Sequence, residues 1–276
     1  MNKKSVIITV LLVVGLIVAV VLFASYGKAN NPDSEDFDWD AAEKKAVNKM
    51  FPGIEFGEVI KKVKDPNGNT ISIKKDENYG AIVDLTRFAK KASEMTKNSK
   101  HLSDEELYNL NATDDQKEAI ESVINYITMG GISQGYAASE LFIRDALAYK
   151  GYDSETIEFA MTHAGVDWDE QAYIQTLILA ADHGISKEEL FNAMVEMGLS
   201  EDAANREANR EEMDYYEQAV AYACYYKFKQ DISARIDNNN MKYKKEDVRE
   251  MLKTLKFNNK EIKYALKVVF DEIKVK

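Results

Sequence analysis

The sequence predicts an all-α protein: tandem three-helix, helix-turn-helix-like repeats that follow an N-terminal transmembrane helix, with a small hairpin-containing α+β region between. Three observations lead to this fold class. A stretch of 23 residues returns one unit later, a long apolar run opens the chain, and no proline follows Pro66. Because proline breaks helices, its absence over the remaining 210 residues favours a long helical region.

The internal repeat joins residues 150–172 (KGYDSETIEFAMTHAGVDWDEQA) to residues 197–219 (MGLSEDAANREANREEMDYYEQA). Gly151 aligns with Gly198 and Trp168 with Tyr215, at a constant offset of 47 residues. A period of this length is typical of stacked helical arrays. The sequence predicts units at about 113–166, 167–213 and 214–276. In the third unit the offset becomes 58, which places an eleven-residue insertion around residues 231–240.

The amino end predicts a membrane anchor within residues 1–26. An uncharged run begins at Val6 and ends at Ala24, long enough to cross about 30 Å of hydrocarbon. Lysines precede this run and an acidic tether, residues 27–40, follows it, so we expect a single-pass cell-membrane protein with a cytoplasmic N-terminus and extracellular repeats. A cleaved signal peptide with a small-x-small site at residues 27–29 is the alternative.

Residues 41–112 predict the small α+β region, to which we assign no family. A short helix is expected at residues 40–50. Alternating runs at 59–63 and 70–73 flank DPNGN, and Asn-Gly between such runs is a strong hairpin signal. The loop also has the ligand spacing of a calcium site, but Thr70 replaces the required glycine and Asp76 the bidentate glutamate. A second helix is expected at residues 81–95.

Helix caps predict where the later helices begin. Ser103 with Glu106, and Thr113 with Gln116, have the spacing of capping boxes, so a short helix should precede a long one. Ser186 opens the second helix of the middle unit in the same way. Each second helix should end where Gly151, Gly198 and the dipeptide 256–257 stand, because glycine tolerates the left-handed residue that ends a helix.

Composition limits the chemistry. A net charge of −11 argues against a nucleic-acid partner and favours a basic protein segment. The single cysteine, Cys224, excludes an intrachain disulfide and a thiolate cluster, and it falls on an apolar stripe. His163 and His183 each end an apolar helix, and no H-E-x-x-H, G-x-S-x-G or phosphate loop occurs. We therefore predict no enzyme, and no catalytic, cofactor or metal residues.

The repeat unit has a first helix, a turn and a second helix that starts with S-x-x-E. The motif G-[YFL]-[STD]-x-E-x-A follows and leads into D-W-x-E-Q-A. This unit resembles the repeat of the Ltp family, host cell surface-exposed lipoproteins of low-GC Gram-positive bacteria and their phages. The resemblance covers roughly residues 113–270 and implies superinfection exclusion, in which a surface-tethered protein blocks phage DNA injection. Family members carry a lipidated cysteine where this chain has Ser25, so the apolar segment itself must hold the protein. The matching residues are Gly151, Tyr152, Glu155, Ala160, Asp167, Trp168, Glu170, Gln171 and Ala172, echoed by Gly198, Leu199, Ser200, Asp214, Tyr215, Glu217, Gln218 and Ala219.

Aromatic and acidic side chains at repeat-equivalent positions are the candidates for partner binding, although the aromatic ones could instead pack between units. The partner expected from charge and resemblance is a basic phage injection component. Two other functions stay open: a host cell-envelope protein-interaction module, and a wall-active enzyme that uses paired carboxylates. The candidate residues are Trp168, Asp167, Glu170, Asp214, Tyr216 and Glu217.

Overall fold

The structure is a computed structural model that describes residues 58–76, 80–129, 139–229 and 243–273. In these ranges the chain is mostly helical, with one small antiparallel sheet. The strands are β1 (Val59–Lys64), β2 (Thr70–Asp76) and β3 (Gly80–Val83). The helices are α1 (Thr86–Asn98), α2 (Asp104–Asn109), α3 (Asp114–Met129), α4 (Glu140–Tyr149), α5 (Ser154–His163), α6 (Trp168–Ala181), α7 (Lys187–Glu196), α8 (Glu201–Ala208), α9 (Tyr215–Cys224), α10 (Lys245–Thr254) and α11 (Asn259–Leu266).

The predicted hairpin is confirmed. β1 and β2 pair antiparallel around the DPNGN loop, with Lys64 opposite Thr70. Gly68 adopts a positive φ of 88°, the conformation that an Asn-Gly turn requires. The Asp65 amide donates to the Asn69 carbonyl at 3.0 Å and closes the loop.

The helix predicted at residues 81–95 is wrong in its first part. Residues 80–83 form β3, which pairs with β2 so that Val83 lies opposite Ile73. Ala81 and Val83 are buried at the two-residue spacing of a strand, a pattern that the helical spacing of the following apolar residues obscured. The helix begins later, at Thr86, whose amide donates to Asp84 Oδ1 at 3.2 Å.

Both predicted capping boxes are present. The Glu106 amide donates to Ser103 Oγ while the Ser103 amide donates to Glu106 Oε2. Thr113 and Gln116 exchange the same two bonds, at 3.0 and 3.2 Å. These caps satisfy amides that a helix start leaves without partners, so a short helix ends near residue 109 and a long helix begins at residue 114.

The sequence offsets recur in the helix boundaries. The helices α4 and α7 start and end 47 residues apart, and α7 and α10 start and end 58 residues apart. The starts of α5, α8 and α11 follow the same two offsets. The two central positions of α4, α7 and α10 are all fully buried, so equivalent residues serve the core at equivalent places: Ile143 and Leu147, Leu190 and Met194, Val248 and Leu252.

The chain reverses in the same way after α4, α7 and α10. Gly151, Gly198 and Lys256 occupy the turn with φ of 95°, 93° and 65°. In each case the next amide donates back to a carbonyl of the helix's last turn, as in a Schellman ending. Lys256 is the one non-glycine residue with positive φ in the described ranges. A side chain in this conformation is strained.

The apolar side chains form two cores. The first core lies between α2, α3, α4 and α5, with Ile120 and Leu147 among its fully buried members. The second core unites the sheet and α1 with the helices from α6 onward, as far as Ile273. Trp168 begins α6 but packs against the first core, whereas the rest of α6 belongs to the second. We call this meeting line at the start of α6 the seam.

Several predictions fall outside the described residues: the membrane span at residues 6–24, the tether up to residue 40, the helix at 40–50 and the insertion at 231–240. Among the residues that the structure does describe, no helix has the length and apolar character needed to span a bilayer.

Replacing Lys256 by glycine should raise the free energy of unfolding by about 1 kcal/mol, because glycine relieves the strain of the left-handed conformation. Urea denaturation measures the change. The control is Lys253→Gly, placed in the last turn of α10, which should lower stability because glycine is a poor helix former. Equal destabilisation by both substitutions would contradict this account of the turn.

Candidate functional site

The predicted candidates Asp167 and Asp214 are helix caps. The Glu170 amide donates to Asp167 Oδ1 at 3.1 Å at the start of α6. The Tyr216 amide donates to Asp214 Oδ1 at 3.0 Å at the start of α9. Both carboxylates therefore stabilise helix N-termini, where negative charge is favourable. Asp167 is exposed, while Glu170 and Tyr216 are half-buried.

Glu217 has a structural role instead of the predicted place on a contact surface. Glu217 is only 3% exposed. Its two carboxylate oxygens accept hydrogen bonds from the two terminal nitrogens of Arg87. Burial opposes the charge on Arg87, but the bond to Glu217 outweighs it and raises the pKa of the guanidinium. This bidentate pair connects α1 to α9, so the Glu217 carboxylate faces the protein rather than a partner.

Most of the carboxylates around residues 207–214 form hydrogen bonds or ion pairs within the protein. Glu207 is 2% exposed and accepts from Thr176 and Arg210. Glu212 accepts from Lys91 and Tyr173. Although burial opposes ionisation, these hydrogen bonds lower the pKa of Glu212 to about 2. Glu207 thus connects α6 to α8, and Glu212 connects α1 and α6 to the loop after α8.

The structure brings together two carboxylates that the sequence did not pair, Asp65 of the hairpin loop and Asp214, the cap residue of α9. The Asn69 side-chain amide donates to Asp65 Oδ2 at 3.3 Å and to Asp214 Oδ2 at 3.2 Å. Burial and the hydrogen bond with Asp65 raise the pKa of Asp214 to about 6. Burial, together with the negative charges of Asp65, Glu272 and Asp214, raises the pKa of nearby Tyr264 to about 12. No cluster of three or more His, Cys, Asp or Glu suited to a metal occurs in the described residues.

A cleft lies at the seam. It has a volume of about 180 Å³ and is formed by the first turns of α4, α6 and α8 together with the end of α7. The half-buried indole of Trp168 is part of its wall. Gly198 packs so closely on Leu141 that an added Cβ would lie 2.7 Å from the leucine Cβ. Of the six predicted candidates, Trp168 alone lines this cleft; the other lining residues are Ser139, Glu140, Asp169, Gln171, Ala172, Gln175, Met194, Met197, Gly198, Leu199, Ser200 and Ala203.

The reactive residue types take structural positions. The His163 ring stacks on Phe159, with ring centroids 4.0 Å apart, and its Nδ1 lies 2.8 Å from the Phe159 carbonyl. His183 stacks on Tyr225 at 3.8 Å. Cys224 is buried, and burial raises the pKa of its thiol to about 12, so it behaves as a small hydrophobic residue.

Charge is unevenly distributed along the chain. Residues 101–217 contain 26 Asp and Glu against six Lys and Arg. Residues 58–100 contain ten Lys and Arg against six Asp and Glu, and residues 218–276 contain 14 against eight. We call residues 101–217 the acidic segment. It includes α2 to α8 and thus the whole first core and the walls of the cleft.

The chain matches no protein-family model, no curated protein and no solved structure.

Replacing Asp214 by asparagine should remove a pH dependence of stability. The pKa of Asp214 is raised in the folded state from an ordinary value of 3.8 to about 6, so the native protein holds its proton more tightly than the unfolded chain. The contribution of the protonated Asp214 to stability should therefore be full below about pH 4 and be lost as the pH rises through about 6. Asparagine keeps the cap but carries no charge, so the variant should be more stable than wild type above pH 6.

Thermal unfolding between pH 4 and pH 8 measures this difference. The matched control is Asp167→Asn, which changes the corresponding cap of α6 and leaves the pair of Asp65 and Asp214 intact. The stability of Asp214→Asn relative to wild type should increase between pH 4 and pH 6, and a difference that stays constant over this range would contradict the pairing.

Proposed function

We propose that the chain is a membrane-anchored, extracellular helical-repeat binding protein whose acidic segment contacts a basic protein. The observation that carries this proposal is the charge of residues 101–217, a surplus of 20 acidic residues on helices and connecting turns whose apolar side chains are already used in the cores. A negatively charged surface attracts a positively charged partner and repels polyanions such as nucleic acids.

The proposed architecture is a tandem array with units at about 113–166, 167–213 and 214–276. It is supported by the internal repeat, by helix boundaries that follow the 47- and 58-residue offsets, and by buried residues at equivalent positions. Arrays of this kind present extended surfaces to other proteins and need no catalytic residues. The proposal includes no enzymatic activity.

The biological role we propose is superinfection exclusion, in which the protein blocks phage DNA injection by engaging a basic component of the injection machinery. This step rests on the resemblance of the repeat unit to the Ltp family. The apolar run from Val6 to Ala24 would hold the protein at the membrane, because Ser25 stands where the family has its lipidated cysteine. A membrane anchor would hold the acidic segment at the cell surface, where the phage injection machinery acts.

Cells that express the full chain should resist phages at DNA entry and not at adsorption. Plating efficiency and DNA-entry assays over a phage panel measure this, and deletion of residues 1–26 should abolish protection. Normal adsorption with blocked entry is the expected result. Full protection by the deleted chain, or no protection against any phage, would contradict exclusion at the membrane and favour a host envelope role.

The acidic segment itself is tested by a charge-reversed triple variant. Glu121, Asp145 and Glu196 are exposed on α3, α4 and α7, and their replacement by lysine should abolish protection without unfolding the protein. The control variant E58K/E94K/E250K makes the same change in net charge outside the acidic segment and should keep protection. Protection that survives the first variant, or is lost equally in both, would contradict the proposal.

A further inference from the structure

We propose that the cleft at the seam receives one apolar side chain from a basic protein segment, and that the lysine or arginine neighbours of that side chain lie against the cleft's acidic rim. The inference rests on the proposed function and names the part of the partner that the acidic segment recognises. Four properties of the cleft support it: its size, its walls, its rim and its place between the cores.

The size of the cleft suits a single side chain. A protein cavity of about 150 Å³ with apolar walls binds benzene. The cleft, with a volume of about 180 Å³, can therefore hold a ring or a branched aliphatic group, but not a folded element. A single anchor in a pocket is how many interfaces concentrate their binding energy.

The walls of the cleft are partly apolar and adaptable. The residues that line the cleft include Trp168, Met194, Met197 and Leu199. Methionine side chains adjust to ligands of different shape and make favourable contacts with aromatic rings. Gln171 and Gln175 also line the cleft, and both are largely buried. The amide nitrogen of Gln171 donates to Ser99 Oγ at 3.2 Å, so this donor has a partner inside the protein.

The rim is acidic. Glu140 and Asp169 line the cleft with side chains that are 48% and 80% exposed. Each forms one surface ion pair, Glu140 with Arg144 and Asp169 with Arg206. Exposed ion pairs contribute little to stability, so an incoming cation can compete for these carboxylates. The surrounding acidic segment strengthens the same preference.

The position of the cleft couples binding to both cores. Trp168 packs against the first core, whereas the half-buried Leu199 packs against the second. A side chain that contacts both residues bridges the seam. Binding there should therefore raise the unfolding temperature of the whole protein, since a ligand stabilises the state that binds it.

The test uses the full chain with Trp39→Phe, which leaves Trp168 as the one tryptophan and makes its fluorescence a reporter of the cleft. Three short peptides are titrated: one of alternating lysine and glycine with a central phenylalanine, one with serine in place of phenylalanine, and one with glutamate in place of lysine. The phenylalanine-lysine peptide should shift the emission saturably and bind about tenfold more tightly than the serine peptide. The glutamate peptide should not bind.

Two variants locate the binding. Ala203→Phe fills the cleft, and Met197→Gln makes one wall polar at similar size; both should remove the advantage of phenylalanine over serine. Val195→Phe, on the exposed surface of α7 and not in the cleft lining, is the control and should keep the advantage. Circular dichroism checks that each variant folds, and Met197→Gln keeps the test decisive if the filled variant does not.

The outcomes separate this inference from the proposed function. Equal, salt-sensitive binding of the phenylalanine and serine peptides would overturn the anchor while leaving an acidic binding surface. Binding of the glutamate peptide as tight as that of the lysine peptide would overturn the charge preference of the rim. Failure of both lysine peptides to bind would overturn the anchor and count against the proposed function as well.

Discussion

The fold depends on one constraint: its helices are short. The described α-helices have between six and 16 residues, and helices of this length are only marginally stable alone in water. Each must bury its apolar stripe against neighbours, so stability comes from shared cores and from satisfied helix ends. The cap residues Ser103, Asp153, Ser200 and Asn258 and the left-handed turns after α4, α7 and α10 meet the second requirement.

This packing produces two apolar cores, and the cleft lies at the seam where they meet. α6 begins against the first core and continues in the second, and Trp168 at its start stays half-buried. The second core is further joined by polar contacts between distant parts of the chain. The bidentate pair of Arg87 and Glu217 holds α1 to α9, and Asn69 bridges Asp65 and Asp214 between the hairpin and the same helix. The hairpin is thus packed onto the helices.

Local signals in the sequence predicted local structure well. The Asn-Gly dipeptide predicted the β1–β2 hairpin, the capping boxes predicted helix starts, and the change of offset from 47 to 58 agrees with the boundaries of α7 and α10. Lys256 shows that the repeat predicts a left-handed turn even where no glycine stands. β3 was missed because Ile82, Leu85 and Phe88 also fit a helical spacing, and because its pairing with β2 is a tertiary contact.

The candidate site was harder to predict, because its residues come together only in the fold. Acidic residues that looked equivalent in the repeat have different roles: Asp167 caps a helix at the surface, whereas Glu217 is buried against Arg87. Periodicity shows which residues share a helix face, but not which face meets a cationic side chain from another element. Trp168 keeps its place as a candidate because the seam leaves its indole half-buried.

The central claim is that the acidic segment contacts a basic protein, and site-specific photo-cross-linking in infected cells tests it most directly. A photoreactive residue is placed at exposed position 121 or 196 in the acidic segment, or at exposed position 94 outside it. The account predicts adducts from positions 121 and 196, with the cross-linked partner peptide rich in lysine or arginine, and none from position 94. Adducts from position 94 alone, or cross-linked peptides without basic residues, would contradict it.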